Sequence, residues 1–177
     1  MVAILPTTLG QVKPTPVSRC VRRCYVSPGT RYYTLDYTTL KYSYYGECKH
    51  LLVGTCEGRC CDNQCCNSTL IPEFKVYIRN KLWYTGCQIY SRPKYVEIHH
   101  AGNIVRLSAS PLQANWINGA GSITTGTYPN FVLSSWSSCG YRYTGPAGLT
   151  VYFNCCGYVQ VYLDMVYWGK TCGTCGN

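Results

Sequence analysis

Fourteen cysteines are the side chains best able to do chemistry in this 177-residue sequence. Cys20 and Cys24 stand in "RCVRRC", and Cys48 and Cys56 flank a short apolar run. Cys60, Cys61, Cys65 and Cys66 crowd the stretch "CEGRCCDNQCCN". Cys87, Cys139 and the adjacent Cys155 and Cys156 follow, and Cys172 and Cys175 close the chain in "KTCGTCGN". Three chemistries suit such thiols. Exchange at "CGTC" is the first. A redox pair of that type sits at a helix start, where the dipole lowers a thiol pKa, and no helical pattern follows Cys175. Zinc binding is the second. The crowded stretch lacks two separated knuckles of ligands, and the neighbouring His99 and His100 lie on a strand-like run that sends them to opposite faces. Covalent cross-linking is the third, and the density of cysteine favours it together with an oxidising compartment. Pairing stays open for Cys20, Cys48, Cys60, Cys61, Cys65, Cys66, Cys87, Cys139, Cys155 and Cys156. The four of the crowded stretch have one another, Cys87, Cys155 and Cys156 as candidate partners.

Oxygen and nitrogen groups offer less. The seven acidic residues form no paired-carboxylate motif, and neither GxSxG nor HExxH occurs. No enzyme is expected. The formal charge of +9 suits acidic glycans and other polyanions, and Arg19, Arg22 and Arg23 are the one local concentration of cations. Elsewhere the positive charge is scattered and reads as solubility. Asn67-Ser68-Thr69 is an N-glycosylation sequon.

The elements that position these groups read as strands. In "FKVYIRN", Phe74, Val76 and Ile78 face one way and Lys75, Tyr77 and Arg79 the other. "LTVYF" and "YVQVYLDMV" repeat the alternation, and "TLKYSYY", "YVEIHH" and "NIVRL" resemble them. Period-two patterning means one buried and one wet face, hence antiparallel sheets. "HAGN" (100–103) and "NCCGY" (154–158) read as hairpin turns. The expected fold is all-β: an antiparallel two-sheet sandwich, disulfide-stapled. Residues 1–19 read as a linker or tail and 20–177 as the domain. Eighteen tyrosines fit half-exposed strand faces, where the ring packs and the hydroxyl stays wet; a sticky or cross-linkable tyrosine surface is the sharper reading. No apolar run is long enough to span a membrane. The start fails as a signal peptide, so either the chain is a piece of a longer secreted protein or its start is misassigned.

The order of motifs resembles the von Willebrand factor type D domain. That family opens on a cysteine, a GDPHYxTFDG-like stretch, a GxC and a further cysteine after a strand, and closes on a valine-rich hairpin and CGLCGN. Here Cys24, "TLD" (34–36), "YGEC" (45–48), Cys56, "GLTVYF", "VQVYL" and "CGTCGN" stand in that order. The resemblance covers Cys24 to Asn177 and is loose between Ser108 and Cys139, where "WING" (116–119) is its one echo. Pro28, Gly29, Thr30 and Arg31 replace the GDPH, so its histidine is absent. The resemblance implies bridges from Cys24 to Cys175 and from Cys56 to Cys172. It also implies a partner for Cys48 beyond the chain end, and calcium held partly by Asp36 and Asn177, with an acidic loop beyond the end supplying further oxygens. Disulfide exchange during multimer assembly belongs to related CGLC motifs. What is expected, then, is an extracellular structural or adhesive module of a secreted mucin-like or matrix protein. Its C-terminal end would be truncated. Its partners would be other matrix or mucin-type proteins, acidic glycans or disulfide-linked copies, and nucleic acid is not among them.

Overall fold

A computed structural model describes residues 21–35, 41–44, 46–56 and 72–176. Alternation of apolar and polar residues builds fifteen strands in them. They are β1 (Val21–Ser27), β2 (Arg31–Tyr33), β3 (Lys41–Ser43), β4 (His50–Thr55), β5 (Phe74–Thr85), β6 (Gln88–His100), β7 (Asn103–Ala109) and β8 (Leu112–Trp116). There follow β9 (Gly121–Ile123), β10 (Gly126–Tyr128), β11 (Phe131–Ser135), β12 (Gly140–Thr144), β13 (Thr150–Asn154), β14 (Val159–Asp164) and β15 (Thr171–Cys172). No α-helix occurs among the described residues; Pro146–Gly148 and Met165–Tyr167 form single 3₁₀ turns.

Two antiparallel sheets result. One has the order β10-β11-β12-β13-β14-β1-β2-β3, the other β15-β4-β5-β6-β7-β8-β9. Consecutive strands pair within each sheet, and the chain changes sheet between β3 and β4, between β9 and β10, and between β14 and β15. Two pairings join strands distant in sequence: β1 with β14, and β15 with β4. Both ends of the described chain thus enter the sheets beside distant segments.

The buried faces meet in one apolar core. Phe74, Val76 and Ile78 of β5, Val96 and Ile98 of β6, and Val105 and Leu107 of β7 supply one side. Val151 and Phe153 of β13 and Val159, Val161 and Leu163 of β14 supply the other. Aromatic pairs reinforce it: Phe131 of one sheet meets Trp116 of the other edge-on at 5.6 Å, and Phe74 meets Tyr167 of the second 3₁₀ turn edge-on at 4.8 Å. Three tyrosines among the described residues are fully buried. Tyr32 accepts a hydrogen bond from Asn80 Nδ2, Tyr143 reaches His100 Nδ1, and Tyr167 donates to the Pro72 carbonyl. A phenol in the core needs such a partner.

Other tyrosines line the wet face of the larger sheet. Tyr33, Tyr25 and Tyr158 pack in succession, with centroids 5.1 and 6.0 Å apart. Tyr162, Tyr152 and Trp136 form a second run at 5.4 and 5.0 Å. Arg23 lies over Tyr25 and Arg142 over Tyr152. Strand register sets these neighbours, because residues two apart on one strand and opposite on the next share a face.

One feature departs from the sequence-based reading. "FKVYIRN" does not end its strand at Asn80; β5 continues to Thr85, turns at Gly86 and returns as β6. A bulge between Arg79 and Asn80 places Pro93 opposite Asn80 and leaves Lys94 as the extra residue. Such a bulge is where a sheet tolerates proline.

Candidate functional site

The cysteines at the two ends of the domain form a clasp. Cys24 lies at the centre of β1, on its buried face, and bridges Cys175 across a separation of 151 residues. Cys56, just past β4, bridges Cys172 across 116 residues. Both pairs have Cα atoms 5.8 Å apart, inside the range a disulfide spans. These are the two pairs that the resemblance implies. Backbone hydrogen bonds hold the tail in place beside them. β15 pairs Thr171 with Thr55 and Cys172 with Gly54. The N–H groups of Thr174 and Cys175 donate to the carbonyls of Leu51 and Leu52 at 3.1 and 2.7 Å, and Leu35 N–H donates to the Cys175 carbonyl. The first bridge therefore links the eight-stranded sheet to a tail already laid along the seven-stranded one. The second pins that tail to β4.

The glycines of "CGTCG" have a steric cause. Gly173 has φ +103°, and a Cβ there would sit 2.8 Å from the Leu52 carbonyl oxygen. A Cβ on Gly176 would lie 2.4 Å from the Cys172 carbonyl oxygen. The tail passes too close to β4 and to itself for any side chain. Cys172 and Cys175 each bridge a different distant partner rather than one another, so the CxxC spacing serves a tight double anchorage. Gly173→Ala is expected to destabilise the oxidised protein by about 1–3 kcal/mol, read as a lower denaturant midpoint with an unchanged slope. No shift in midpoint would contradict the close approach.

The remaining sequence-derived residues are not brought together. Arg22 and Arg23 are adjacent in sequence but project to opposite faces of β1. Arg22 lies over Trp168, 4.5 Å from its ring centroid, and Arg23 over Tyr25 on the wet face. Period two divides what the sequence concentrates. Arg19, the sequon Asn67, the calcium candidates Asp36 and Asn177, and the cysteines Cys20, Cys60, Cys61, Cys65 and Cys66 lie outside the described residues, as does the 1–19 tail. Cys139 and Cys155 form a third bridge, between residues on either side of the Gly140–Asn154 register pair. Cys48, Cys87 and Cys156 are exposed and outside any bridge. Among the described residues, Cys139, Cys155 and Cys156 are the one grouping with metal-ligand proximity. Two of the three are consumed by a disulfide.

A charged cluster that sequence reading did not single out lies on the outer face of the seven-stranded sheet. Glu97 is 3% exposed, and its carboxylate accepts hydrogen bonds from Lys49 Nζ, His99 Nε2 at 2.8 Å and Arg106 Nη2 at 2.6 Å. Burial on its own would raise its pKa. The hydrogen bonds from His99, Lys49 and Arg106, with the charge of Lys49, outweigh burial and hold it at about 2. Arg106 is its register partner on β7, and Tyr77 on β5 carries Lys49 over its ring. On the inner face His100 is buried, and burial lowers its pKa to about 4. Tyr143, beside it, is raised by burial. His99 and His100 do point to opposite faces. The signal for Glu97 was present as three alternating strands, but only their register shows that a glutamate, an arginine and a tyrosine align.

These features define a class: a disulfide-bridged antiparallel β-sandwich whose two ends are clasped together, with no helix among its described residues long and apolar enough to cross a membrane. A scan against family models finds no match, and neither does a search among curated proteins.

Proposed function

We propose that this chain is an extracellular structural or adhesive module of the type D kind, part of a secreted mucin-like or matrix protein, acting in assembly and surface contact. The observation that carries the reading is the clasp: bridges across 151 and 116 residues, reinforced by a tail whose glycines leave room for nothing else. Bridges of this kind persist in oxidising surroundings and are rare in a reducing cytosol. The exposed Cys48, Cys87 and Cys156 offer thiols for bonds between chains, and the two runs of tyrosines with Arg23 and Arg142 offer a contact face. In this reading Asn67 carries a glycan, and calcium binds through Asp36 and Asn177 with oxygens supplied from elsewhere.

The test is non-reducing peptide mapping of the native material by mass spectrometry, with non-reducing electrophoresis beside it. Peptides joining Cys24 to Cys175 and Cys56 to Cys172, and higher species that collapse on reduction, are expected. Fully reduced cysteines in freshly isolated protein would sink the proposal.

A further inference from the structure

The β5–β6 ribbon outruns its neighbours. β4 pairs with β5 only as far as Ile78, and β7 pairs with β6 only from Tyr95. Residues 81–92 therefore form a two-stranded arm that no other strand among the described residues flanks. Its base is seated against the larger sheet's turns, where Gly29 N–H donates to the Ser91 carbonyl and Gly157 packs on Arg92 and Pro93. Its outer part is exposed on both faces: Tyr84 is 71% and Ile89 56% exposed on one, Trp83 39% and Tyr90 47% on the other.

One face of this arm is chemically specific. Register places Lys81 opposite Arg92 and, one rung outward, Trp83 opposite Tyr90. The Arg92 guanidinium lies 4.0 Å and the Lys81 ammonium 4.9 Å from the centre of the same Trp83 ring. Lys94, pushed out by the bulge, joins them around a depression completed by Trp83, Pro93 and Ser110. The indole thus gathers two like charges, and a third stands beside them. No carboxylate among the described residues pairs with Lys81, Arg92 or Lys94. Glu47, on the edge of the same arm, is engaged by the Leu82 N–H at 2.9 Å. Like charges held this close repel, and an incoming anion relieves them.

We infer that this face of the β5–β6 arm binds an acidic polysaccharide, with sulfate or carboxylate groups on Lys81, Arg92 and Lys94 and a sugar ring against Tyr90. Adjacent rungs on one face are about 7 Å apart. A linear polymer lying along the arm can therefore meet the cationic rung and the aromatic rung with successive sugars. The cations fix the polyanion, and the apolar C–H face of a sugar packs on an exposed ring. A membrane surface fits less well. The turn at Gly86 and Cys87 carries no large apolar residue to insert, and the charges run along the side of the arm rather than around its end. The inference uses none of Arg19, Arg22 and Arg23, and it does not depend on the clasp.

Titration of the oxidised protein with a heparin oligosaccharide, across a salt series, tests it. Lys81→Gln/Arg92→Gln is expected to weaken binding at least about tenfold, the effect of losing two charge-assisted contacts. It should also reduce the slope of log Kd against log salt by about one to two. Trp83→Leu, which removes the platform but no charge, is expected to weaken binding without that change of slope. Lys94→Gln, at an exposed position, provides a variant whose folding is not at issue. Arg22→Gln/Arg23→Gln removes the same charge elsewhere and is expected to leave affinity within about twofold. Undiminished heparin binding by the folded Lys81→Gln/Arg92→Gln protein would overturn the inference. So would equal loss in Arg22→Gln/Arg23→Gln, equal affinity for uncharged dextran, or capture by phosphatidylserine vesicles with none by heparin.

Discussion

Cys175→Ser is expected to lower the thermal midpoint of the oxidised protein by roughly 10–20 °C. The bridge it removes spans 151 residues, and the chain-entropy model assigns about 5 kcal/mol to a loop of that size. In a domain of this length each kcal/mol corresponds to about 2–4 °C. Two further losses act in the same direction. Cys24 and Cys175 are both fully buried, so the substitution leaves a lone thiol and a new hydroxyl inside the core. The tail that carries Cys175 also holds backbone hydrogen bonds to Leu51, Leu52 and Leu35, which weaken once the tail can lift. Cys56→Ser is expected to cost less. Its bridge closes a shorter loop, sits half-exposed, and duplicates the β15–β4 pairing. A reductant separates the contributions: it opens Cys56–Cys172 and Cys139–Cys155 as well, so both proteins should fall below the oxidised Cys175→Ser midpoint and melt close together once reduced, the wild type having moved further. Equal midpoints for variant and wild type under oxidising conditions would remove the clasp as the source of stability.

The sheets were largely legible because their strands are buried on one side only. Phe74, Val76 and Ile78, or Val159, Val161 and Leu163, alternate with polar residues, and that contrast is the physical imprint of a half-wet sheet. The arm was not legible for the complementary reason. In "KLWYTGCQIYSRP" neither face is buried along its outer length, so Trp83, Tyr84, Ile89 and Tyr90 show no alternation of character to read. Adjacent arginines misled in the opposite sense: Arg22 and Arg23 form a cluster in sequence that a strand splits between two faces. The Cys139–Cys155 bridge follows from the β12–β13 register, in which Gly140 stands opposite Asn154. A sixteen-residue spacing alone cannot show that register. Glu97 required more still, since its partners come from β7 and from the approach to β4. Sequence periodicity tells which face a residue takes. It does not tell which residues of other strands share that face, and the Glu97 cluster and the arm are both defined by such sharing.

Acidification is expected to destabilise the sandwich in two stages, because two groups bind protons less readily in the folded chain than in the unfolded one. His100 comes first. Burial between Phe74, Tyr143 and Gly145 lowers its pKa from 6.5 to about 4. The unfolded chain takes up this proton first, so the neutral imidazole's contribution is complete above pH 6.5 and is lost as pH falls towards 4. The size is about 3 kcal/mol. Glu97 follows. Its pKa is depressed from 4.5 to about 2, so its contribution is complete above pH 4.5 and is lost as pH falls through that interval. Lys49, His99 and Arg106 are each about one-third exposed, and allowing for solvent screening leaves on the order of 2 kcal/mol. Denaturant midpoints measured at successive pH values should therefore fall in both intervals. His100→Gln, neutral throughout, should flatten the upper one and leave the lower intact. Glu97→Gln should do the reverse, and should also lower stability at neutral pH by leaving Lys49 and Arg106 without their counter-charge. The two variants address opposite faces of one strand, so their effects should add in the double variant to within about 0.5 kcal/mol. A single steep loss below pH 4, unchanged in His100→Gln, would mean that the buried imidazole is not the group that makes the core sensitive to acid.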